Sequence, residues 1–111
     1  MAKTLYVTLD INSDPRVKVD RDVGGKPKMK WRKDDDSVDF DFVSITGLPS
    51  DVFEITEESK NKINVTNLGT GDGKIYPYTL TIKHEQDGVW TNYTTNQVTP
   101  IQTGGKPVIR N

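Results

Sequence analysis

Residues 28–42 (KMKWRKDDDSVDFDF) contain the densest group of side chains that could bind a ligand. In the first half, Lys28, Lys30 and Arg32 surround Trp31, and in the second half three consecutive aspartates occupy residues 34–36. Basic side chains around an aromatic ring can bind nucleic acid, whereas a group of carboxylates can supply oxygen ligands to Ca²⁺. Which chemistry applies depends on the direction in which the local backbone points these side chains.

Alternation of apolar and charged residues predicts that both halves are β-strands with one buried face. Met29 and Trp31 share one face of the first strand, and its basic residues share the opposite face. Phe40 and Phe42 likewise share one face of the second strand, and the neighbouring aspartates face the other way. We therefore expect Trp31 to lie in the core, where it cannot stack on a nucleotide base.

The connection between these two strands has two interpretations. In a hairpin, Lys30 would meet Asp41 and Arg32 would meet Asp39 across the strand pair. If the connection instead arches from one sheet to another, the basic and acidic residues form two separate solvated faces. Both interpretations predict no nucleic-acid partner, in agreement with a net charge of −1 from 15 basic and 16 acidic residues.

The other candidate sites for chemistry fail on spacing. Asp34–Asp36 leave a weak calcium site open, because three consecutive carboxylates cannot all reach one ion without a second loop. Residues 69–74 (GTGDGK) lack the spacing and the following helix of a phosphate-binding loop. His84 is the single histidine and cysteine is absent. We therefore predict a protein that is not an enzyme and that uses no cofactor and no metal.

The elements that must position these side chains are short β-strands. Val, Ile, Thr and aromatic residues alternate with polar ones along most of the chain, and helical spacing does not persist anywhere. Among the predicted strands are 28–33, 37–46, 74–84 and 97–102. With turn signals about every 8–12 residues, we predict one domain over residues 1–111. Its predicted fold is all-β: an Ig-like antiparallel β-sandwich (Greek key) of about eight or nine short strands.

The same alternation predicts the core and two local features. A change of parity between Phe42 and Val43 predicts a β-bulge or a crossing between sheets. Asp72 lies four residues before Tyr76, a spacing that suits a tyrosine corner with a structural role. The residues that we expect to be mainly buried are Leu5, Val7, Leu9, Ile11, Val17, Val19, Trp31, Val38, Phe40, Phe42, Ile45, Phe53, Ile55, Ile63, Val65, Tyr78, Leu80 and Ile82.

The last predicted hairpin carries the aromatic residues from which a ligand site could be built. Asp87-Gly88 is a strong signal for a tight turn at its tip. Trp90 and Tyr93 fall on opposite faces of the returning strand, so at least one of them is expected to be exposed. Together with Tyr76 on the preceding strand, they are the candidate ligand-binding residues.

The order of features along the chain resembles that of the DP-EP family of small bacterial proteins. The residues that carry the resemblance are Asp14-Pro15 followed by Val17 and Val19, the Trp31 strand, DFDF (39–42), YPYTLTI (76–82) followed by Asp87-Gly88, and the proline-led segments Thr99-Pro100-Ile101 and Lys106–Asn111. Neither of these last two prolines follows an acidic residue. The resemblance implies an Ig-like β-sandwich and supplies no chemistry.

These observations predict a protein that acts by contact. The leading hypothesis is a non-catalytic interaction or self-assembly domain whose partner is another protein chain, including a second copy of itself, joined by pairing of edge strands such as NVT, NYTT and QVT. The alternative is a carbohydrate-binding module that uses the exposed aromatic residues of the C-terminal hairpin. No membrane partner is expected. A cytoplasmic location is expected because MAKTLYVTLDI lacks the apolar stretch of a signal peptide.

Overall fold

Short alternating segments form β-strands, as their residue types predict. The structure, a computed structural model, describes residues 2–11, 16–95 and 107–111. These residues contain no helix and eleven strands, so the predicted all-β class is confirmed and the strand count exceeds the prediction. The predicted strand at 97–102 lies outside the described residues. The strands are β1 (Ala2–Asp10), β2 (Arg16–Lys18), β3 (Asp22–Gly24), β4 (Lys28–Lys33), β5 (Asp41–Thr46), β6 (Phe53–Glu58), β7 (Lys62–Asn67), β8 (Ile75–Pro77), β9 (Thr79–Gln86), β10 (Val89–Thr94) and β11 (Val108–Arg110).

The strands form three sheets that share one hydrophobic core. Their orders are β2-β1-β4-β7-β6, β10-β9-β5 and β3-β11-β8. This arrangement is consistent with a β-sandwich, but it is not wholly antiparallel as predicted. β1 pairs with β4, and β3 with β11, in parallel. Parallel neighbours need a long connection between them, and here other strands intervene in the chain between each pair.

The core contains most of the residues that alternation predicts, with four differences. Ile11 is 37% exposed just beyond the end of β1, and Ile55 is 44% exposed on the edge strand β6. Val19 and Val38 are only partly buried against the core. An edge or a strand end leaves an alternating apolar residue without a covering layer, which explains these exceptions. The core also includes four residues absent from the prediction, namely Val23, Met29, Tyr76 and Ile109.

The connection within residues 28–42 is an arch between two sheets. β4 lies between β1 and β7 in the five-stranded sheet, whereas β5 belongs to the sheet of β9 and β10. The cross-strand charge pairs of the hairpin interpretation therefore do not form. Lys33 Nζ instead lies 3.0 Å from Asp39 Oδ1 across the arch. Asp36 N–H donates to Asp34 Oδ1 at 3.0 Å, so the carboxylate of Asp34 stabilises the local turn.

The alternation of apolar and polar residues is interrupted at two further places in the fold. The predicted change of parity is confirmed as a β-bulge in β5 between Phe42 and Ser44, which leaves Val43 exposed. The predicted strand 74–84 is divided at Tyr78 into β8 and β9, which belong to different sheets. Tyr78 N–H donates to the carbonyl of Pro107 at 3.0 Å at this division.

Candidate functional site

A tight turn builds the hairpin of β9 and β10. Asp87 has φ 53° and Gly88 has φ 80°. Positive φ at both central residues is what a type I′ turn requires, and its twist matches that of the flanking strands. The register then runs without interruption from Gln86 opposite Val89 to Thr81 opposite Thr94. The predicted turn is confirmed, and it fixes the direction of every side chain on β10.

β10 is the outermost strand of its sheet, and its first residues extend beyond the core. Residues 89–92 are exposed, with Val89 at 63% and Trp90 at 49%. The strand sequence VWTNYT contains no charged residue and no proline. A long, uncharged edge strand of this kind is a template for pairing with another strand.

The backbone direction along β10 follows from the bond at its end. Thr95 N–H donates to the Leu80 carbonyl at 3.1 Å, so Thr95 faces β9. Backbone groups alternate sides along a strand, and the register has no bulge. Trp90 and Asn92 therefore direct their N–H and C=O groups away from β9. This outer row of backbone groups, here called the β10 edge, is the candidate interaction site.

Several other edges within the described residues are short or blocked, although the side of β1 away from β4 pairs with β2 only at residues 8–10. On the outer side of β5, Phe42 N–H donates to the Lys60 carbonyl at 2.9 Å and Ile45 N–H donates to Glu58 Oε2 at 3.0 Å. β6 carries a bulge and three glutamates. β2, β3 and β8 are three residues long each. Bulges, charges and short length are the usual protections of edge strands, and β10 has none of them, although β2 lies close to it.

The three segments predicted to pair at a sheet edge differ in their position in the fold. NYTT (92–95) lies on and just after β10, at an edge. NVT (64–66) lies in β7, which has neighbours on both sides, so its prediction as an edge is wrong. QVT (97–99) lies outside the described residues.

The structure does not bring the three candidate aromatic residues together. Trp90 is half exposed on the outer face of its sheet, and Tyr93 lies on the inner face, partly buried against the core. Tyr76 is buried in a different sheet, where its ring centroid lies 5.0 Å from that of Phe53. The opposite placement of Trp90 and Tyr93 agrees with the prediction, but only Trp90 remains available to a ligand.

A shallow cleft of about 200 Å³ lies beside Trp90. Lys83 Nζ lies 4.9 Å from the centroid of the Trp90 ring and attracts its π-face. His84 Nδ1 donates to the Asp39 carbonyl at 2.7 Å, because a carbonyl can only accept. Hydrogen bonding and charge attraction from Lys33 hold the pKa of Asp39 below its usual value. The cleft is lined by Asp39, Phe40, Asp41, His84, Glu85 and Trp90.

The predicted contact between Asp72 and Tyr76 is confirmed. Tyr76 Oη donates to Asp72 Oδ2 at 2.5 Å, and Lys74 N–H donates to Asp72 Oδ1 at 2.7 Å. The hydrogen bond from Tyr76 is the main cause that lowers the pKa of Asp72. The same bond raises the pKa of Tyr76 to about 12. This pair fastens the loop before β8 to the strand and has a structural role.

The Asp72–Tyr76 pair predicts a specific pH dependence of stability. The pKa of Asp72 is lowered in the folded protein, so its contribution is present above the unfolded value of about 3.9 and is lost as pH falls through the folded value. The raised pKa of Tyr76 makes its contribution present below about 10 and lost as pH rises towards 12. In urea melts, the Tyr76→Phe variant should therefore lose less stability than the wild type both at low pH and at high pH. Tyr93→Phe is the control, and equal pH profiles for the two variants would contradict the prediction.

The basic residues of β4 differ in their partners. Arg32 Nη1 donates to the carbonyls of Trp31 and Ile63, at 2.9 and 3.4 Å. Lys28 and Lys30, in contrast, have no ion pair with any residue that the structure describes. Trp31 is fully buried, so its predicted core position is confirmed and it cannot stack on a base.

We expect no retention of single- or double-stranded nucleic acid at physiological salt. With about two uncommitted cations on β4, few counterions are released when this strand binds, so affinity is low and any binding at low salt fades as salt rises. Filter binding across a salt series measures this, with the triple variant Lys28→Gln, Lys30→Gln, Arg32→Gln as the control. Sub-micromolar binding at physiological salt that disappears in the triple variant would contradict the expectation.

No model of a known protein family, no curated protein and no solved structure matches this chain. Within the described ranges, no three His, Asp or Glu side chains are arranged to hold a metal ion. No helix long and apolar enough to cross a membrane occurs in the same part of the chain. The case for a function therefore depends on the geometry of the surface.

Proposed function

We propose that this protein is a non-catalytic interaction domain that binds a β-strand of another chain along the β10 edge, and that the first such partner is a second copy of itself. The observation that carries the proposal is an uncharged six-residue strand at the edge of its sheet. A strand that joins an exposed sheet edge forms main-chain hydrogen bonds with it, and pockets for every second side chain of that strand give specificity.

Self-pairing along the β10 edge gives a closed assembly. Two β10 strands related by a two-fold axis would pair antiparallel and join two three-stranded sheets into one six-stranded sheet. The outward groups of Trp90 and Asn92 in one copy would bond to outward groups of the other. Trp90 and Val89 would lose solvent exposure in this dimer, which adds apolar burial to the hydrogen bonds.

The finer fold assignment is part of the same proposal. We assign the chain to Ig-like Greek-key sandwiches and to the DP-EP family, and the all-β class with one core between sheets supports this. An experimental structure that traces the connection from β10 to β11 tests the assignment. A connection that departs from Greek-key order would overturn the topology without affecting the β10 edge.

Asn92→Pro is expected to convert a concentration-dependent dimer into a monomer. Proline removes the outward N–H at position 92 and leaves the β9–β10 bonds intact, because proline is tolerated where the N–H of an edge strand faces solvent. Static light scattering or sedimentation over a wide concentration range measures the mass. The melting temperature of the variant at low concentration should stay close to that of the wild type.

Asn92→Thr is the matched control, because it keeps the backbone N–H and a residue that favours strands. The control should dimerise like the wild type. A wild type that is monomeric at all concentrations would overturn self-pairing. Equal dimerisation of Asn92→Pro and Asn92→Thr would move the contact away from the β10 edge.

A carbohydrate-binding role is the second candidate, and the half-exposed ring of Trp90 beside a polar cleft favours it. A sugar stacking on the ring face near Lys83 would have to displace the lysine ammonium. Titration of oligosaccharides against tryptophan fluorescence tests this role, because Trp31 is buried and Trp90 should carry the response. A saturable response in the wild type that is lost in Trp90→Phe, with a monomeric protein, would favour this candidate over assembly.

A further inference from the structure

A pocket of about 330 Å³ lies on the outer face of the five-stranded sheet, far in the strand order from β10. β4 and β7 form its floor, where Lys28 is opposite Thr66 and Lys30 is opposite Asn64. One wall comes from β6, whose bulge between Ile55 and Glu57 makes Thr56 the extra residue. The polar side chains that line the pocket are Lys28, Lys30, Thr56, Asn64 and Thr66.

Asn64 has an amide oxygen without a partner. Its Oδ1 is buried and accepts no hydrogen bond from the described residues. A buried acceptor without a partner destabilises the folded protein, because it has lost its hydrogen bonds to water and has formed none within the protein. Thr56 Oγ1 is nearby but donates to the backbone carbonyl of Asn64, at 3.2 Å. Asn64 lines the pocket, so a rotation of its side chain would bring this unpartnered acceptor to a hydroxyl donor there.

Among the lysines that the structure describes on the outer face of this sheet, Lys28 and Lys30 are the ones without an ion pair. Other lysines on the same outer face are ion-paired: Lys18 lies 3.3 Å from Asp10 and Lys62 lies 3.4 Å from Glu57. Lys28 and Lys30 are two residues apart on one strand face, so their Cα atoms are about 6.6 Å apart. Long flexible stems allow both ammonium groups to reach one anionic group between them.

The acidic residues of the neighbouring strand do not neutralise this pair. Glu54 is opposite Thr66, and Glu57 is opposite Asn64, so each glutamate lies one strand beyond β7. Two strand spacings separate β6 from β4, which is about 10 Å. Glu57 is already paired with Lys62 at 3.4 Å, and no described carboxylate lies within ion-pair distance of Lys28 or Lys30.

We infer that this pocket binds a small hydroxylated anion, such as a sugar ring with one carboxylate or phosphate group. The two lysines would take the anionic group, Asn64 Oδ1 would accept from a ring hydroxyl, and the threonine hydroxyls can donate or accept. A neutral sugar would leave the lysines without a partner, and an inorganic anion would leave the Asn64 acceptor unsatisfied. The inference is independent of the β10 edge.

Titration of the full chain with glucuronate and with glucose 6-phosphate, followed by ¹H–¹⁵N amide shifts, tests the site. Saturable shifts are expected at residues 28–30 and 64–66 with at least one of the two probes, and comparison of the two separates carboxylate from phosphate. Glucose and inorganic phosphate should each bind at least about tenfold more weakly, since each lacks one of the two recognised groups. Equal binding of glucose, or no saturable shift with either acidic sugar, would overturn the inference.

Two variants identify the residues responsible. Lys28→Gln with Lys30→Gln should abolish binding, whereas Lys60→Gln with Lys74→Gln removes the same charge from exposed positions elsewhere and should leave it unchanged. Asn64→Ala should lower the affinity for the acidic sugars until it is close to that for inorganic phosphate. Retained binding in the Lys28/Lys30 variant, or an equal loss in both lysine variants, would show that no specific site exists here.

Discussion

Phe40→Ala is expected to destabilise the protein by about 3–5 kcal/mol, the range for removing a fully buried phenylalanine side chain. Phe40 is 2% exposed, and its ring meets that of Phe42 edge to face with centroids 5.2 Å apart. Lys33 Nζ lies 5.6 Å from the Phe40 centroid on another side. Since a domain of this size has about 5–15 kcal/mol of stability, the variant should be largely unfolded or close to it.

Asp41→Asn is the matched control for Phe40→Ala, because Asp41 is the next residue, begins β5 and is only partly buried. A substitution there should change the free energy of unfolding by no more than about 0.5 kcal/mol. Urea melts followed by circular dichroism measure both variants. Similar small losses for the two would contradict the assignment of Phe40 to the core and of Asp41 to the surface.

Local features of this fold could be predicted because their causes lie within a few residues. Alternation places Phe40 inside and Asp41 outside whichever strands pair with them. The Asp87-Gly88 turn depends on two residues that accept positive φ. The contact of Asp72 with Tyr76 depends on a spacing of four residues at the start of a strand. Each of these predictions required no knowledge of the partner strand.

Strand partners could not be predicted in the same way. The alternation in residues 28–42 is identical in a hairpin and in an arch, and the arch follows from the pairing of β4 with β1 and β7. The segment 74–84 alternates without interruption, yet its two halves join different sheets. Pro77 was the available signal there, because a residue without an N–H cannot continue a ladder on both sides.

The two candidate sites depend on the same long-range information. NVT in β7 and NYTT in β10 have similar composition, but only strand order makes one central and the other an edge. The pocket beside Asn64 depends on the bulge in β6, which brings Thr56 against the neighbouring strand. Sequence composition thus identified strands capable of edge pairing, and topology selected among them.

Tyr78→Phe is expected to cost about 1–3 kcal/mol, although it removes a single oxygen atom. Trp31 Nε1–H donates to Tyr78 Oη at 3.2 Å, and both side chains are fully buried. Their rings meet edge to face with centroids 5.5 Å apart, a contact that phenylalanine would keep. The loss comes from the indole N–H, which would remain buried without an acceptor.

A matched variant separates this cause from a general loss of packing, and burial of the Tyr78 phenol adds a pH dependence of its own. Burial raises the pKa of Tyr78 to about 12, so its contribution to stability is present below about 10 and is lost as pH rises towards 12. Tyr78→Phe should therefore lose less stability than the wild type over that range. Tyr93→Phe, at a partly buried position, should cost far less at neutral pH. Equal costs for Tyr78→Phe and Tyr93→Phe at neutral pH would show that the bond from Trp31 contributes little to the stability of the core.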